Sequence, residues 1–167
     1  MKTDKKIIKY NDLKRLRAKA DREKKTIVFS SGCYDLLHLG QVVHFNFCKS
    51  KGDILVVNVG SDKTVKALKG PTRPINNEKF RVRMVAALEV VDYVAISEEF
   101  GKMDHNKFVE LLRPDIFVLN STDSAVKEKR RLVEKIGGKL LLCKRLPPGH
   151  LKDGISTTQI EKKLSRK

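Results

Sequence analysis

Short apolar runs alternate along the chain with longer segments in which hydrophobic positions follow helical spacing. The runs are nearly continuous in apolar residues, which is typical of strands that are covered on both faces of a parallel sheet. They predict strands at residues 26–30, 53–59, 93–96, 116–119 and 139–143.

The segments between these runs predict helices, because their apolar residues recur every three or four positions. The predicted helices span residues 40–49, 77–90, 105–112, 123–136 and 156–163. In the first two, the residues expected to be buried are Val42, Val43, Phe45 and Phe47, followed by Phe80, Met84, Ala87 and Leu88. The basic segment 2–25 also has a helical pattern, with Leu13, Leu16 and Ala20 on one side.

Strands that alternate with helices imply right-handed crossovers and a parallel sheet with helices on both faces. The pattern therefore predicts the α/β class, as a Rossmann-like three-layer α/β/α fold with a five-stranded parallel sheet. A basic N-terminal helix within residues 1–25 is expected to pack on one domain of residues 26–167. Ligands of such sheets bind beyond the carboxyl ends of the strands. The site is therefore expected within residues 30–41, 120–123 and 152–158.

The charge of the chain points to an anionic partner. Lys and Arg number 36 against 20 Asp and Glu, which gives a formal net charge of +16. Phosphate-bearing small molecules, nucleic acid and a merely solvated lysine-rich surface all fit this excess. Because aromatic residues make up only 6% of the chain and Trp is absent, a stacking platform for single strands is disfavoured, and nucleic acid is not the expected partner.

Cysteine spacing and hydropathy argue against a disulfide-rich protein, a zinc-binding protein and a membrane-spanning protein. Cys33, Cys48 and Cys143 form no C-x-x-C pair, so we expect free thiols rather than a disulfide framework or a zinc site. No segment approaches the roughly 20 apolar residues of a membrane span, and the first residues lack the apolar part of a secretory signal. These features predict a cytoplasmic protein with no membrane partner.

The segment after the first predicted strand, SGCYDLLHLGQ at residues 31–41, combines a turn with the start of a helix. A helix N-terminus presents unpaired N–H groups and a partial positive charge, and is a natural phosphate site. Gly40 permits close approach of a phosphate, and His38 can donate a hydrogen bond to it. The segment therefore predicts phosphate binding.

The same segment resembles the G-x-F-D-x-x-H-x-G-H signature of the cytidylyltransferase-like nucleotidyltransferases, with Tyr34 in place of Phe and Gln41 in place of the last His. The resemblance continues from Thr26 over nearly the whole chain. Residues 61–66, 68–75, 81, 86–89 and 91–94 look like the second block of the heptose 1-phosphate adenylyltransferases. The GISTT sequence at 154–158 looks like the family's nucleotide-contacting G-x-S-T-T element. Glycerol 3-phosphate cytidylyltransferase shares the first and last motifs, but the middle block favours the heptose branch.

The resemblance implies roles for individual residues. The implied catalytic residues are His38, Gln41 and Arg81. The implied nucleotide-binding residues are Gly32, Cys33, Tyr34, Asp35, His38, Gly40, Gln41, Asn120, Asp123, Gly154, Ile155, Ser156, Thr157 and Thr158. Those implied for substrate phosphate are Lys66, Lys69 and Arg73. No protein metal ligand is implied, and Mg²⁺ would arrive with the nucleoside triphosphate. By residue type alone, Lys69, Arg73 and Arg81 also suit solvated surface charges, and Ser156 and Thr157 suit plain helix caps.

Two departures from the family pattern leave the substrate and the rate open. Gln41 keeps a hydrogen-bond donor but loses an ionisable ring, and His44, one helical turn further on, is a weaker candidate for the same task. After the fourth predicted strand, LNSTD at 119–123 replaces the Lys-Gly-Gly-Asp of the heptose enzymes, and the region before the last helix is longer. These are the places expected to contact the base and the acceptor.

The resemblance therefore implies transfer of a nucleoside monophosphate, with AMP favoured, to a sugar phosphate or small phosphorylated alcohol, with release of pyrophosphate. A phosphate nucleophile is already anionic, so alignment and charge stabilisation would suffice. Three alternatives stay open: a cytidylyltransferase of the glycerol 3-phosphate type, a nucleotide-binding protein impaired by Gln41, and a nucleic-acid-binding module. Family resemblance also implies a homodimer.

Overall fold

The computed structural model describes residues 2–144 and 160, and its strands and helices alternate as the sequence predicts. The strands are β1 (Ile27–Gly32), β2 (Ile54–Val59), β3 (Tyr93–Ile96), β4 (Ile116–Asn120) and β5 (Lys139–Cys143). The helices are α1 (Tyr10–Arg22), α2 (Leu39–Lys49), α3 (Asp62–Lys69), α4 (Glu78–Ala86), α5 (Asn106–Leu112) and α6 (Val126–Lys135), and a 3-10 helix (Lys2–Lys6) precedes them. The closing helix predicted at 156–163 lies outside the described residues apart from residue 160.

All described strands are parallel, in the order β3-β2-β1-β4-β5. The order reverses between β1 and β4, which makes this pair the topological switch point at which α/β sheets bind ligands. The predicted fold class, a three-layer α/β/α sheet of Rossmann-like topology, is confirmed.

Two hydrophobic clusters cover the two faces of the sheet. Phe29 of β1 belongs to the cluster that includes residues of α1, α5 and α6, whereas its neighbour Val28 belongs to the cluster that includes residues of α2 and α4. Alternating side chains of one strand thus contact opposite helix layers, as expected for a buried parallel strand. The candidate site lies at one end of this three-layer structure.

The N-terminal segment packs on the three-layer α/β/α structure. Leu13, Leu16 and Ala20 are buried, as their spacing predicts. Ile7 forms a bridge with Val94 of the edge strand β3, so the segment also extends the sheet edge locally. The domain boundary at residue 25 stays a prediction. Within residues 2–144 and 160, no helix has the length and apolarity to cross a membrane, and all three cysteines are free thiols.

One predicted helix face is wrong. In α4 the buried residues are Arg81, Val82, Val85 and Ala86, whereas Phe80 is 58% exposed and Ala87 is exposed. The pattern misleads here because a charged side chain occupies the buried face. In α2, Phe45 is buried and Val42, Val43 and Phe47 are largely covered, as predicted. The structure adds His44 and Cys48 to the buried face.

Candidate functional site

A cavity of about 760 Å³ lies beyond the carboxyl ends of β1, β2 and β4. It includes most of the predicted site residues, although they come from distant parts of the chain. Those that line it are Gly32, Cys33, Tyr34, Asp35, His38, Gly40, Gln41, Lys69, Arg73, Asn120 and Asp123. The cavity therefore lies at the switch point where the sequence places the site, while the binding roles of these residues stay predictions.

Some predicted residues are placed elsewhere. Lys66 is exposed on α3 and does not line the cavity. Arg81 is fully buried and does not line it either. Gly154, Ile155, Ser156, Thr157 and Thr158 lie outside the described residues.

The start of α2 forms the phosphate-binding candidate. His38 is the N-cap residue, and Gln41 lies at the third helical position, where its Oε1 accepts a hydrogen bond from the backbone N–H of His38 at 3.2 Å. This reciprocal arrangement is a capping box, so Gln41 stabilises the helix start while its amide NH₂ remains the donor end of the side chain. A Cβ at Gly40 would lie 3.1 Å from His38 Nδ1, so glycine at this position leaves room for the imidazole ring.

Tyr34 shapes the turn between β1 and α2. Its backbone is left-handed, with φ of 49°, and its hydroxyl lies 3.2 Å from Ser30 Oγ. A Cβ at Gly32 would lie 2.9 Å from the Tyr34 ring, so in this chain a side chain at position 32 would collide with that ring. Burial raises the pKa of Tyr34, so the phenol is neutral. Burial also raises the pKa of the Cys33 thiol, which disfavours a thiolate nucleophile at that position.

Asp35 connects the signature loop to the segment after α3. Its buried carboxylate pairs with the guanidinium of Arg73 and accepts hydrogen bonds from the backbone N–H groups of Ile75 and Asn76, both at 2.9 Å. The Asn76 amide in turn donates to the carbonyl of Asp35 at 2.9 Å. The geometry makes Asp35 an anchor of this segment, and it holds Arg73 at the cavity wall.

Arg81 is neither solvent-facing nor at the cavity, which corrects both interpretations of this residue. Its Nε donates to Asn76 O at 2.9 Å, its Nη1 to Cys33 O at 2.5 Å and its Nη2 to Asp62 Oδ1 at 2.7 Å. These acceptors belong to the segment after α3, the signature loop and the start of α3. Arg81 is therefore a positioning residue that joins three parts of the site. The sequence pattern identifies Arg81 as a candidate, but it cannot identify the hydrogen-bond acceptors of its guanidinium, because these lie up to 48 positions away in the chain.

His44 lines the cavity but is not equivalent to the missing family histidine. It is buried, and its Nε2 lies 2.9 Å from Ser30 Oγ and 3.5 Å from Cys48 Sγ. Burial lowers its pKa to about 4. The ring is therefore neutral at pH 7 and its Nε2 is occupied within the protein, so the suggestion that it replaces a histidine at position 41 is not supported.

The cavity lining also includes residues that the sequence analysis does not predict, among them Asp104, His105 and Lys129. Lys129 is buried on α6 and its Nζ donates to Asp123 Oδ2 at 2.8 Å, while Asp123 Oδ1 accepts from Ala125 N at 2.8 Å. Burial opposes ionisation of Asp123, but these hydrogen bonds outweigh it and lower its pKa. Asp123 is thus committed to protein partners through both oxygens. An adjacent Asp-His pair and one lysine among many give no periodic signal that could have identified them.

No group of three or more His, Cys, Asp or Glu side chains within the described ranges could hold a metal ion. Cationic charge at the cavity instead comes from Lys69, Arg73, Lys102, Lys129 and Lys144. The arrangement can bind several phosphate groups beside a helix N-terminus.

Comparisons with known proteins agree with this geometry. The family model described as cytidylyltransferase-like matches residues 29–163. The protein named bifunctional protein HldE from Syntrophotalea carbinolica is 39% identical over 145 residues, which cover 86% of this chain and 28% of that protein. HldE from Campylobacter fetus is 43% identical over 115 residues, which cover 69% of this chain and 24% of that protein. The chain thus spans about a quarter of the length of these two relatives.

Two solved structures share the fold. The lipopolysaccharide core biosynthesis protein from Thermoplasma volcanium superposes with a TM-score of 0.62 at 28% identity, over 73% of this chain and 97% of that chain. Pantoate-beta-alanine ligase from Francisella tularensis, solved with an ATP compound and beta-alanine, superposes with a TM-score of 0.64 at 16% identity, over 93% of this chain and 75% of that one. The second likeness is one of fold alone.

Proposed function

From the premise that the chain belongs to the cytidylyltransferase-like family, we propose that it is a nucleotidyltransferase that transfers AMP from ATP to a sugar phosphate and releases pyrophosphate. The main support is the start of α2, where His38, Gly40 and Gln41 line one cavity together with Lys69 and Arg73. A helix N-terminus and two cations at the switch point of an α/β sheet suit a triphosphate. The cavity, at about 760 Å³, has the size of a site for a nucleotide-sized ligand.

In the proposed step, a phosphate oxygen of the acceptor attacks the α-phosphorus of ATP. The bond from that phosphorus to the oxygen bridging to the β-phosphorus breaks, and pyrophosphate leaves with the electron pair. The nucleophile is already anionic, so no side chain needs to remove a proton. Catalysis then depends on alignment and on stabilising negative charge in the transition state.

The residues divide into those that contact phosphate and those that position them. His38, the Gln41 amide and the N-terminus of α2 hold the triphosphate, and Lys69 and Arg73 neutralise its charge. Asp35 and Arg81 act behind them, since both are bound to backbone groups of the surrounding loops. Mg²⁺ bound to triphosphate oxygens would add charge neutralisation, and a site with few protein carboxylates suits an ion that keeps several waters.

The finer choice of substrate rests on the sequence. The middle block resembles the heptose 1-phosphate adenylyltransferases, which favours ATP and a sugar 1-phosphate. The segment 120–123 differs from that branch and is expected to contact the base, and its residues Asn120, Thr122 and Asp123 line the cavity. Gln41 supports a second candidate function, a nucleotide-binding protein with impaired turnover, because the family histidine is replaced at the phosphate site. We also propose that the protein forms a homodimer, on family resemblance.

Pyrophosphate release tests this function. The purified chain would be incubated with Mg²⁺, with ATP or CTP, and with pentose, hexose or heptose 1-phosphates or glycerol 3-phosphate. We expect release with ATP and at least one sugar 1-phosphate. Release only with CTP and glycerol 3-phosphate would favour the cytidylyltransferase alternative. Tight ATP binding without release from any pair would contradict the enzymatic proposal and favour the impaired nucleotide-binding protein.

A further inference from the structure

Asp104 and His105 lie in the cavity wall, in the segment between β3 and α5, and the phosphate chemistry proposed above gives them no task. Asp104 is 7% exposed and His105 is 1% exposed. Both line the same cavity as the signature loop. Buried polar side chains at a cavity wall that no structural bond fully occupies are candidates for ligand contact.

Each residue has one buried atom that lacks a hydrogen-bond partner among the described residues: Asp104 Oδ2 and His105 Nε2. Their other polar atoms face each other, with His105 Nδ1 3.4 Å from Asp104 Oδ1. Burial lowers the pKa of His105, against the opposing effect of Asp104, so the ring is neutral. With its single proton on Nδ1, facing the carboxylate, Nε2 is an acceptor. The pair therefore presents two hydrogen-bond acceptors and no donor.

The surroundings place the carboxylate beside the first turn of the signature loop. A Cβ at Gly60, directly after β2, would lie 3.3 Å from Asp104 Oδ2 and 3.8 Å from Gly32 O. The hydroxyl of Ser97 donates to the carbonyl of Asp104 and fixes its backbone. Asp104 thus lies beside the end of β2, while the ring of His105 packs edge-on against Phe117 of β4, with ring centroids 5.4 Å apart. The pair therefore borders both the signature loop and the part of the cavity formed by β4.

The ligand group that faces these two atoms must donate hydrogen bonds. A phosphate group is excluded because the carboxylate repels it. A carbonyl group is excluded because its oxygen can only accept hydrogen bonds. A buried carboxylate oxygen without a hydrogen-bond donor is energetically unfavourable. A ligand hydroxyl that donates to this oxygen therefore contributes more to the binding free energy than a hydroxyl that bonds to a solvent-exposed acceptor. Sugar hydroxyls meet this requirement, and neighbouring hydroxyls on one ring can reach both acceptors.

We propose that Asp104 and His105 bind hydroxyl groups of the sugar-phosphate acceptor and select polyhydroxylated acceptors. The inference rests on the proposed nucleotidyltransferase function and adds the part of the site that recognises the acceptor. Asp104 contacts the ligand directly, and His105 orients it and offers the second acceptor.

Equilibrium binding by calorimetry tests the inference on the 167-residue chain. The Asp104→Asn variant would be compared with wild type and with Glu110→Gln, a matched removal of an exposed carboxylate on α5. We expect Asp104→Asn to weaken binding of the preferred sugar 1-phosphate roughly 10- to 100-fold, the range for a hydrogen bond to a charged group. ATP binding should stay within about twofold, and Glu110→Gln should change neither, because Glu110 lies outside the cavity.

A second measurement needs no variant. Wild type would be titrated with monodeoxy analogues of the same sugar 1-phosphate, and at least one should bind about 10-fold more weakly. That analogue should lose little further affinity in Asp104→Asn, because the two changes remove the same contact. If every deoxy analogue binds as well as the parent, or if Asp104→Asn binds the acceptor like wild type, the inference is wrong. An amino-sugar phosphate that binds best through Asp104 would overturn the assignment to hydroxyl groups.

The two proposals fail in different ways. Acceptor binding that depends on Asp104, without pyrophosphate release, would support the hydroxyl subsite and contradict the proposed catalysis. Release that persists in Asp104→Asn, with an unchanged acceptor KM, would support the catalysis and contradict the subsite. Wild type that binds ATP but none of the sugar 1-phosphates would overturn the subsite.

Discussion

Asp35 and Arg73 form a buried ion pair that joins the signature loop to the segment after α3. The sequence separates these residues by 38 positions. Asp35 also accepts two backbone hydrogen bonds from that segment, so its carboxylate has partners on more than one side. The pair therefore fixes the position of a cation at the cavity wall before any ligand binds, which is a form of preorganisation.

Removing Asp35 should destabilise the fold and weaken nucleotide binding together. Asp35→Ala leaves Arg73 without its carboxylate and two N–H groups without their acceptor, and we expect a loss of about 3–5 kcal/mol in the free energy of unfolding. Urea unfolding and ATP titration measure the two effects. The control is Glu134→Gln, which breaks an exposed pair with Arg130 and should change stability by less than about 1 kcal/mol. Equal effects of the two variants would contradict the anchoring role.

Two substitutions at Gln41 should change kcat in opposite directions. Gln41→Ala removes the donor and should lower kcat about 100-fold, the order seen when one preorganised donor is lost. Gln41→His replaces one donor with another and should raise kcat by about 10-fold or less, with little change in the Kd of ATP. Single-turnover kinetics and ATP titration separate the two quantities. A fall in kcat for Gln41→His would show that this chain has adapted its site to glutamine.

The fold follows from the sequence more closely than the site does. The predicted strands match within two residues at each end, because buried parallel strands require continuous apolar runs. The helix α3 was not predicted, since only Thr64 and Val65 on it are buried and the segment is short. The face of α4 was predicted wrongly because Arg81 occupies it.

The candidate site is less predictable from the sequence than the fold for the same physical reason. His38 and Gly40 could be assigned because a local motif defines a helix N-terminus. The partners of Arg81 and Asp35 are set by tertiary contacts, which no local spacing encodes. Asp104 gives no sequence signal either, since its significance lies in a buried oxygen without a donor among the described residues.

Gly32 should not tolerate a side chain while Tyr34 is present. In Gly32→Ala the new Cβ would lie 2.9 Å from the Tyr34 ring, and overpacking of this kind destabilises by about 1–3 kcal/mol. The double variant Gly32→Ala/Tyr34→Leu should recover part of that loss relative to the sum of the single variants. Thermal and urea unfolding of the four proteins measure this coupling. Simple additivity would show that the tyrosine ring is not what excludes a side chain at position 32.

His44 should make the protein less stable in mild acid. Burial lowers its pKa from 6.5 to about 4 in the folded state. Between these values the unfolded chain binds a proton that the folded protein excludes, so the free energy of unfolding falls as pH decreases through this window. A shift of this size corresponds to about 3 kcal/mol, of which almost none is lost at pH 7, most is lost by pH 4, and the remainder is lost only below the folded-state pKa.

Comparison with His44→Gln isolates this contribution. The variant should be less stable at pH 7 by about 1 kcal/mol, because the hydrogen bond to Ser30 is weakened. Its stability should nevertheless fall less steeply than that of wild type between pH 6.5 and 4. His105, whose pKa is also lowered, titrates in both proteins and cancels in the difference. Urea unfolding at pH 7, 5.5 and 4.5 provides the slopes, and parallel slopes would mean that His44 is accessible to protons in the folded state.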